Sequence, residues 1–371
     1  MGNSAAVVPN DEGFKDFHEV AAFPDAEALV GVTIAKRWEL VELLAKSPQD
    51  SGGVFGVGYR AHDLKDGVDR FVKVVDYRRK LEDPIRLVEL LQEARFEVAA
   101  HKACLRMTKV VRMVDHGMLT FRKTDDDALY SFLCLVQELG DGDIKTHVDY
   151  MPNQGVPWKL WVLRDVALAA RQMENANLAH NDIKPSNVIR FENKDVRRPV
   201  KLGDVGRIVT KSGSGPHDEK QWAGDPRHKP IEVLYGWYEP EWTNRSTAAD
   251  AYMLGNLICF LFVGASLTER IVSSLPAQYQ PGKNLMYRDV LDVVRHTWNT
   301  VLAEQVLPNV PIEIRKKLGN IIRWLTEPDP VVRGEPSARR AGTIGLDRIA
   351  SHLERLALQA QIQERLQRKA S

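Results

Sequence analysis

His180-Asn181-Asp182-Ile183-Lys184-Pro185-Ser186-Asn187-Val188-Ile189 is the stretch on which the reading of this chain turns. A carboxylate, a lysine two residues on and a carboxamide five residues on stand in a loop between a helical segment and an apolar pair. Seventeen residues beyond Asn187 lies Asp204, in Lys201-Leu202-Gly203-Asp204-Val205-Gly206, a second carboxylate at a strand-to-glycine turn. This is the inventory that phosphoryl transfer needs: an acceptor to orient an incoming hydroxyl, a cation to neutralise the moving group, and hard oxygen ligands for Mg²⁺. A lone Asp-Gly or Lys-Pro pair would read as a turn; the ordered set with its downstream partner carries the chemistry.

Composition narrows the classes. The 371 residues suit one large or two ordinary domains, and 44% apolar with 27% charged residues supports a sizeable core. The 51 Lys and Arg against 50 Asp and Glu leave +1, without the basic excess of a dedicated nucleic-acid binder. Cys104, Cys134 and Cys259 are scattered and form no CxxC pair, which fits a reducing compartment rather than a disulfide scaffold or a zinc site. The first 30 residues hold six acids and no basic start followed by an apolar run, so a secretory signal is not expected. Met1-Gly2-Asn3 has the start of a myristoylation motif, but Ala6 stands where it needs Ser or Thr. Ala251 to Leu267 is 17 residues without a charge, short for a membrane span and interrupted by Asn256, and reads as a buried central helix. A cytoplasmic protein without membrane or nucleic-acid contacts is the expectation.

Outward from the opening stretch, the chain changes character near Gly140. Val54–Tyr59 and Arg70–Val75 are β-branched runs around Lys65-Asp66-Gly67, a hairpin signal. Ile85 to Leu105 has helical spacing with Pro84 at its start, and Val110–Val114 and Tyr130–Val136 read as strands. Beyond Gly140 helical periodicity prevails, over Trp158–Ala176, Ala248–Val263, Tyr287–Val306 and Ile312–Thr326. Strands with one helix, followed by helices, indicate an α+β fold with two lobes. The boundaries expected are a loosely held extension over 1–30, a β-rich lobe over 31–139, a helical lobe over 140–342, and a basic amphipathic helix over 343–371. That last helix carries Leu346, Ile349, Leu353, Leu356 and Ala360 at 3,4 spacing, with Leu358, Ile362 and Leu366 as a second stripe. Packing on its own lobe is the first reading, contact with a partner or second copy the alternative.

The opening stretch resembles the catalytic loop of the eukaryotic-type (Hanks-type) protein kinase superfamily, H-R-D-x-K-P-x-N, here H-N-D-I-K-P-S-N; the metal loop D-F-G stands as D-V-G. The resemblance runs over about 310 residues, Val32 to Arg340. It implies a bilobal kinase fold with ATP and Mg²⁺ in the cleft between the lobes. Asp182 would act as base, Lys184 would neutralise the phosphoryl group, and Asn187 and Asp204 would hold Mg²⁺. Lys73 occupies the V-A-I-K lysine position that contacts the phosphates. Its helical partner is Glu93 or Glu97, one turn apart; spacing from Lys73 favours Glu93, spacing to the next strand favours Glu97, and Glu97 is the choice. Gln137-Glu138-Leu139-Gly140 resembles the hinge, with Gln137 as gatekeeper and the backbone of Glu138 and Gly140 facing adenine. Asp143 would reach the ribose or stand as a solvated loop carboxylate. Gly53 and Gly56 keep part of the glycine loop. Ala223-Gly224-Asp225-Pro226-Arg227 through Gly236 is similar to an activation-segment end in a bacterial subset of the superfamily. Asp250 and Gly255 match the helix supporting the catalytic loop, and Arg333 the arginine pairing with Glu232.

Several positions depart from the family. Ser51 replaces the first glycine of the loop, Gly58 the valine that caps adenine, and Phe71 the alanine of V-A-I-K; the ring of Phe71 is expected to fill the volume vacated at Gly58. Asn181 replaces the arginine that reads a phosphate on the activation segment, so activity is expected without phosphorylation of Thr210, Ser212 or Ser214. Asp225 stands at a usual threonine, where an acid could bond Lys184 but would repel Asp182. The reading implied is an ATP-dependent serine/threonine kinase acting on a protein; a pseudokinase scaffold and a small-molecule kinase are the rivals.

Overall fold

The computed structural model describes residues 15–16, 26–44, 56–76, 84–122, 129–150, 154–191, 200–213, 215–218 and 225–370. Ser51, Gly53, Ser214 and Gly224 therefore lie outside the described residues. The described residues divide into two compact units. One falls within Ala6–Arg106 and Val111–Gly140, the other within Met107–Val110 and Asp141–Ser371.

The smaller unit is a sheet of β1 (Lys15–Asp16), β2 (Thr33–Ile34), β3 (Trp38–Leu44), β4 (Gly56–Asp63), β5 (Asp69–Asp76), β6 (Met113–Arg122) and β7 (Leu129–Glu138), with one helix, α1 (Pro84–Cys104). The strand order is β1-β6-β7-β5-β4-β3-β2, and only the β1–β6 pair is parallel. The β4–β5 turn closes where the hairpin signal stood: Gly67 takes a φ of 70° and donates its N–H to the Asp63 carbonyl, and Asp66 accepts the Val68 N–H. Strand alternation sorts the core. Val72, Val74, Phe132, Cys134 and Val136 join Trp38, Leu40 and Tyr59 in one cluster, whereas Leu133 and Leu135 join Ala94 and Val98 of α1 in another. Lys73, between Val72 and Val74, is thereby aimed at the face that carries α1.

Two expectations change here. Part of the extension over 1–30 is core: Ala26 and Leu29 are buried, and the Tyr59 hydroxyl donates to the Ala26 carbonyl while accepting the Leu29 N–H. Val110, expected in a strand of this sheet, instead makes a parallel bridge to Leu202 in the larger unit. Lys109 draws it there, its ammonium 2.7 Å from buried Asp165 and its N–H on Gln172.

The larger unit continues through α2 (Ile144–Tyr150), α3 (Val156–Asn175), β8 (Leu178–Ala179), β9 (Val188–Arg190), β10 (Val200–Leu202), β11 (Val209–Thr210), α4 (Ile231–Leu234), α5 (Ala248–Val263), α6 (Leu267–Ser274), α7 (Tyr287–Val301), α8 (Ile312–Thr326), α9 (Pro336–Arg340) and α10 (Leu346–Ala370). The run Thr243–Val263 is apolar and long enough to cross a membrane by composition, yet 83% of its most apolar window is buried within the unit, as a core helix requires. Gly255 lets α8 approach: a Cβ there would stand 2.3 Å from the Thr326 methyl. α10 packs along α3 and α8, burying Leu346, Ile349, Leu353, Leu356 and Ala360 and leaving Leu358, Ile362 and Leu366 exposed.

Arg333 locks this unit. Fully buried, it donates to both oxygens of Glu232 at 2.8 Å, to the carbonyls of Glu327, Ala248 and Pro328, and lies over the Tyr252 ring. Arginine's planar fork suits such a site because every donor is used. Arg333→Met should lower the unfolding free energy by about 3–5 kcal/mol by stranding the Glu232 carboxylate. Adding Glu232→Leu should recover part of that loss, read as coupling in a double-mutant denaturation cycle.

Candidate active site

Asp182 and its neighbours are placed by backbone geometry before side-chain chemistry enters. The β9–β10 hairpin pairs Val188 with Leu202, which sets Asn187 and Gly203 side by side across 16 residues of chain, the Gly203 N–H donating to the Asn187 carbonyl at 2.8 Å. Asn181 and Asp204 both adopt left-handed backbone, φ 64° and 54°, a conformation that Asn and Asp tolerate better than other side chains. Pro185 opens a single 3-10 turn ending at Asn187.

Buried Asp250, in the first turn of α5, accepts the N–H groups of His180 at 2.7 Å and Asn181 at 2.8 Å. Burial pushes its carboxyl up to about 7, against the pull of those two N–H donors. His180 then joins the two loops. Its Nε2 is 2.9 Å from the Gly203 carbonyl and its Nδ1 accepts the Asp182 N–H at 3.3 Å. One ring nitrogen donating and the other accepting is the neutral imidazole, and burial lowers the ring's pKa in the same sense.

Asp182 faces three groups. Lys184 Nζ is 2.9 Å from its Oδ2, and Asn187 Nδ2 donates to the same oxygen at 3.0 Å and to the Asp182 carbonyl at 2.8 Å. Burial raises the Asp182 pKa, the Lys184 charge opposes it, and the Asp204 charge adds to the rise. Asp204 is thus close enough to be felt by Asp182. With its amide nitrogen turned to Asp182, Asn187 presents its amide oxygen elsewhere; that oxygen and the Asp204 carboxylate are the hard donors Mg²⁺ takes. Among the described residues no cluster of three or more His, Cys, Asp or Glu makes an all-protein cage. Two protein oxygens are fewer than the roughly six positions Mg²⁺ fills, so an ion held by them would share its other positions with phosphate or water.

In the smaller unit, Lys73 Nζ lies 2.7 Å from Glu97 Oε1, so the ion pair forms with Glu97. Gln137 is buried with its amide nitrogen 3.2 Å from His101 Nε2, one turn beyond Glu97 on α1. Glu138 ends β7, its N–H on the Arg112 carbonyl and its carboxylate on the Arg112 N–H. Gly140 closes this unit. A Cβ at Gly56 would stand 3.1 Å from Lys73 Cε, so glycine there leaves the lysine side chain room. At Gly58 a Cβ would meet the Phe71 ring at 2.8 Å, so the ring does fill the volume that a side chain at 58 would need.

Two acids have local partners that the sequence did not indicate. Asp143 caps α2, accepting Thr146 N–H at 2.8 Å and the Thr146 hydroxyl at 2.9 Å, and so is a helix cap rather than a solvated carboxylate. Asp225 turns to Arg227, whose guanidinium lies 2.7 Å away and whose N–H also donates to it. Burial works against that charge, but Arg227 outweighs it and holds the carboxyl well below the usual range. His180 and Asp218 had no assigned role in the sequence reading; the fixed place of His180 two residues before Asp182 is the signal that could have found the first.

The Gly58–Phe71 contact makes a stability prediction. Gly58→Val should destabilise the protein by about 1–3 kcal/mol through overpacking, and Phe71→Ala in the same chain should restore most of it. Thermal melts of the single and double variants check this.

No family model matches the chain. Curated proteins do. A Drosophila melanogaster membrane-associated tyrosine- and threonine-specific cdc2-inhibitory kinase is 22% identical over 340 residues, 88% of this chain and 51% of that protein. A Danio rerio Wee1-like protein kinase 2 is 27% identical over 309 residues, 77% and 48% of the two chains. A human MAP kinase-activated protein kinase 5 is 28% identical over 119 residues, 31% and 24%. The chain spans about half the length of the two relatives that match most of it. The chain is thus similar to eukaryotic protein kinases, and its catalytic-loop carboxylate, lysine and carboxamide stand in mutual contact.

Proposed function

We propose that this chain is an ATP-dependent protein kinase with the kinase fold, transferring the γ-phosphate of ATP to serine or threonine hydroxyls of a protein. The observation that carries the reading is the convergence of Lys184 Nζ and Asn187 Nδ2 on one oxygen of Asp182, at 2.9 and 3.0 Å. That leaves Asp182 oriented by two donors, with its other oxygen to receive the acceptor's hydroxyl proton. Lys184 balances charge on the group in transit, Lys73 set by Glu97 holds the nucleotide phosphates, and the Glu138 and Gly140 backbone takes the adenine edge. Mg²⁺, held by Asn187 and Asp204, would neutralise the phosphate charge. Little bond-making chemistry falls to the protein, so fixed position and fixed charge supply most of the rate.

Lys184 in the D-x-K-P-x-N setting supports serine or threonine as acceptor. The Drosophila relative is named as tyrosine- and threonine-specific, so acceptors are scored for all three hydroxyl residues. The purified chain incubated with ATP and Mg²⁺, followed by intact-mass measurement, should gain mass in single-phosphate steps on itself or on an added protein acceptor. Asp182→Asn should lower that rate by about 10²-fold or more. Equal gain in both proteins contradicts the reading, and no gain in either favours a binding or scaffolding role.

Two further outcomes follow. Asp182 must be ionised to accept a proton, and its pKa is raised by burial; Asp250 must be ionised to hold the loop, and burial pushes it to about 7. Activity should thus fall as pH drops, with the acid limb of kcat/KM near neutrality rather than near pH 4, checked by a pH profile. Phe71→Ala should weaken MgATP binding about tenfold, the scale of one lost aromatic contact, by calorimetric titration.

A further inference from the structure

A single carboxylate, that of Asp218, ties together the described stretches 210–213 and 215–218. Asp218 Oδ1 accepts the Thr210 N–H at 2.7 Å; its Oδ2 accepts the Thr210 hydroxyl at 2.8 Å and the Gly215 N–H at 2.6 Å. Thr210 is buried, and through β11 and the Lys211 N–H it is joined to β8 and Asn177, just ahead of His180. The clasp thus fastens the chain leaving Asp204 against the strand that leads into the catalytic loop. An acid built into the loop does here what an added phosphate and an arginine would otherwise do, and Asn181 stands where that arginine would be.

Ser212 is exposed at the tip of the loop, its hydroxyl 3.0 Å from Thr210 Oγ1. Ser212 and Asp218 therefore share the Thr210 hydroxyl as a common neighbour. The adjoining pocket is lined by Asn181, Asp218, Glu232 and Glu239, and Arg245 is the one lysine or arginine among its described lining residues. That guanidinium donates to the carbonyls of Glu239 and Pro240. Asp218, which already holds the Thr210 hydroxyl, would repel a second negative charge placed at Ser212.

We propose that Ser212 is an inhibitory phosphorylation site, at which phosphate unfastens Thr210 and Gly215 from Asp218 and lowers phosphoryl transfer. The modification forms a bond from Ser212 Oγ to the γ-phosphorus of ATP, breaks that phosphorus's bond to the bridging oxygen, and releases ADP and the hydroxyl proton. Its effect on rate rests on the kinase reading above; its effect on the loop does not.

The test compares the full chain with Ser212→Glu, Ser212→Gln and Asp218→Asn by hydrogen exchange at Thr210 and Gly215 and by phosphoryl-transfer rate. Glu and Gln have the same size, so their difference isolates charge. Exchange at both amides should be about tenfold faster in Ser212→Glu and Asp218→Asn, the scale of one lost charged hydrogen bond, and transfer slower in the same two, with Ser212→Gln near the unmodified chain. Indistinguishable exchange in Glu and Gln variants, or faster exchange with undiminished transfer, overturns the proposal. If the unmodified chain transfers no phosphate, the kinase reading falls and the proposed inhibition with it, while the exchange comparison separately decides whether charge at Ser212 opens the loop.

Discussion

Everything in the candidate site hangs on two N–H groups meeting one buried carboxylate. Asp250 holds the backbone of His180 and Asn181 at consecutive positions. With those two peptides pinned, the His180 ring reaches the Gly203 carbonyl, and the two loops bearing Asp182 and Asp204 acquire a common frame. A desolvated carboxylate is costly unless its oxygens are bonded, and unbonded N–H groups at the same depth would be costly too. Each side of the contact therefore makes the other affordable. The left-handed backbone at Asn181 brings its N–H to the same carboxylate as its predecessor's.

α5 extends the same frame to the segment that follows the metal loop. Asn256, in α5 six residues beyond Asp250, accepts the Leu267 N–H, its Oδ1 lies 3.1 Å from Ser266 Oγ, and its amide nitrogen is 3.1 Å from Thr268 Oγ1. Ser266 donates to the Arg227 carbonyl and Thr268 to the Lys229 carbonyl. The residues just after Asp225 are thus held through their backbone by a buried polar network. At the helix start, the Ala248 carbonyl accepts from Arg333, which also grips Glu232. A single apolar helix with three polar positions positions both the catalytic loop and the end of the segment beyond it. Asn256, which the sequence reading used only as a mark against a membrane span, earns its burial here.

Much of this was legible because it depends on residue type at fixed spacing. Asp182, Lys184 and Asn187 fall within one loop, so their contacts follow from local backbone. Glu232 with Arg333 was legible as a pair through the family resemblance, and Lys73 with Glu97 through that resemblance and spacing, which left Glu93 as the alternative. Gly58 pairs with Lys73 and Phe71 with Arg60, so the missing side chain and the large one are diagonal neighbours in a β-hairpin and complement in volume. What escaped was set by contacts that periodicity does not encode. Val110 has strand-like neighbours but follows Lys109 to Asp165; Leu29 has no pattern around it but fits beneath Tyr59. Asp143 and Asp225 each find a donor two or three residues on, Thr146 and Arg227, a local bond that competes with the long-range role a motif suggests.

The claim that Asp250 organises the site is tested most directly by Asp250→Asn, which keeps the shape but removes the charge and turns an amide donor toward one of the two N–H groups. Single-turnover phosphoryl transfer would be measured at saturating MgATP, with folding and nucleotide affinity followed in parallel. The account predicts a folded protein that still binds MgATP but transfers phosphate about 10²-fold more slowly, because the misplaced loop no longer aligns Asp182. A rate within a few-fold of the unmodified chain would contradict it.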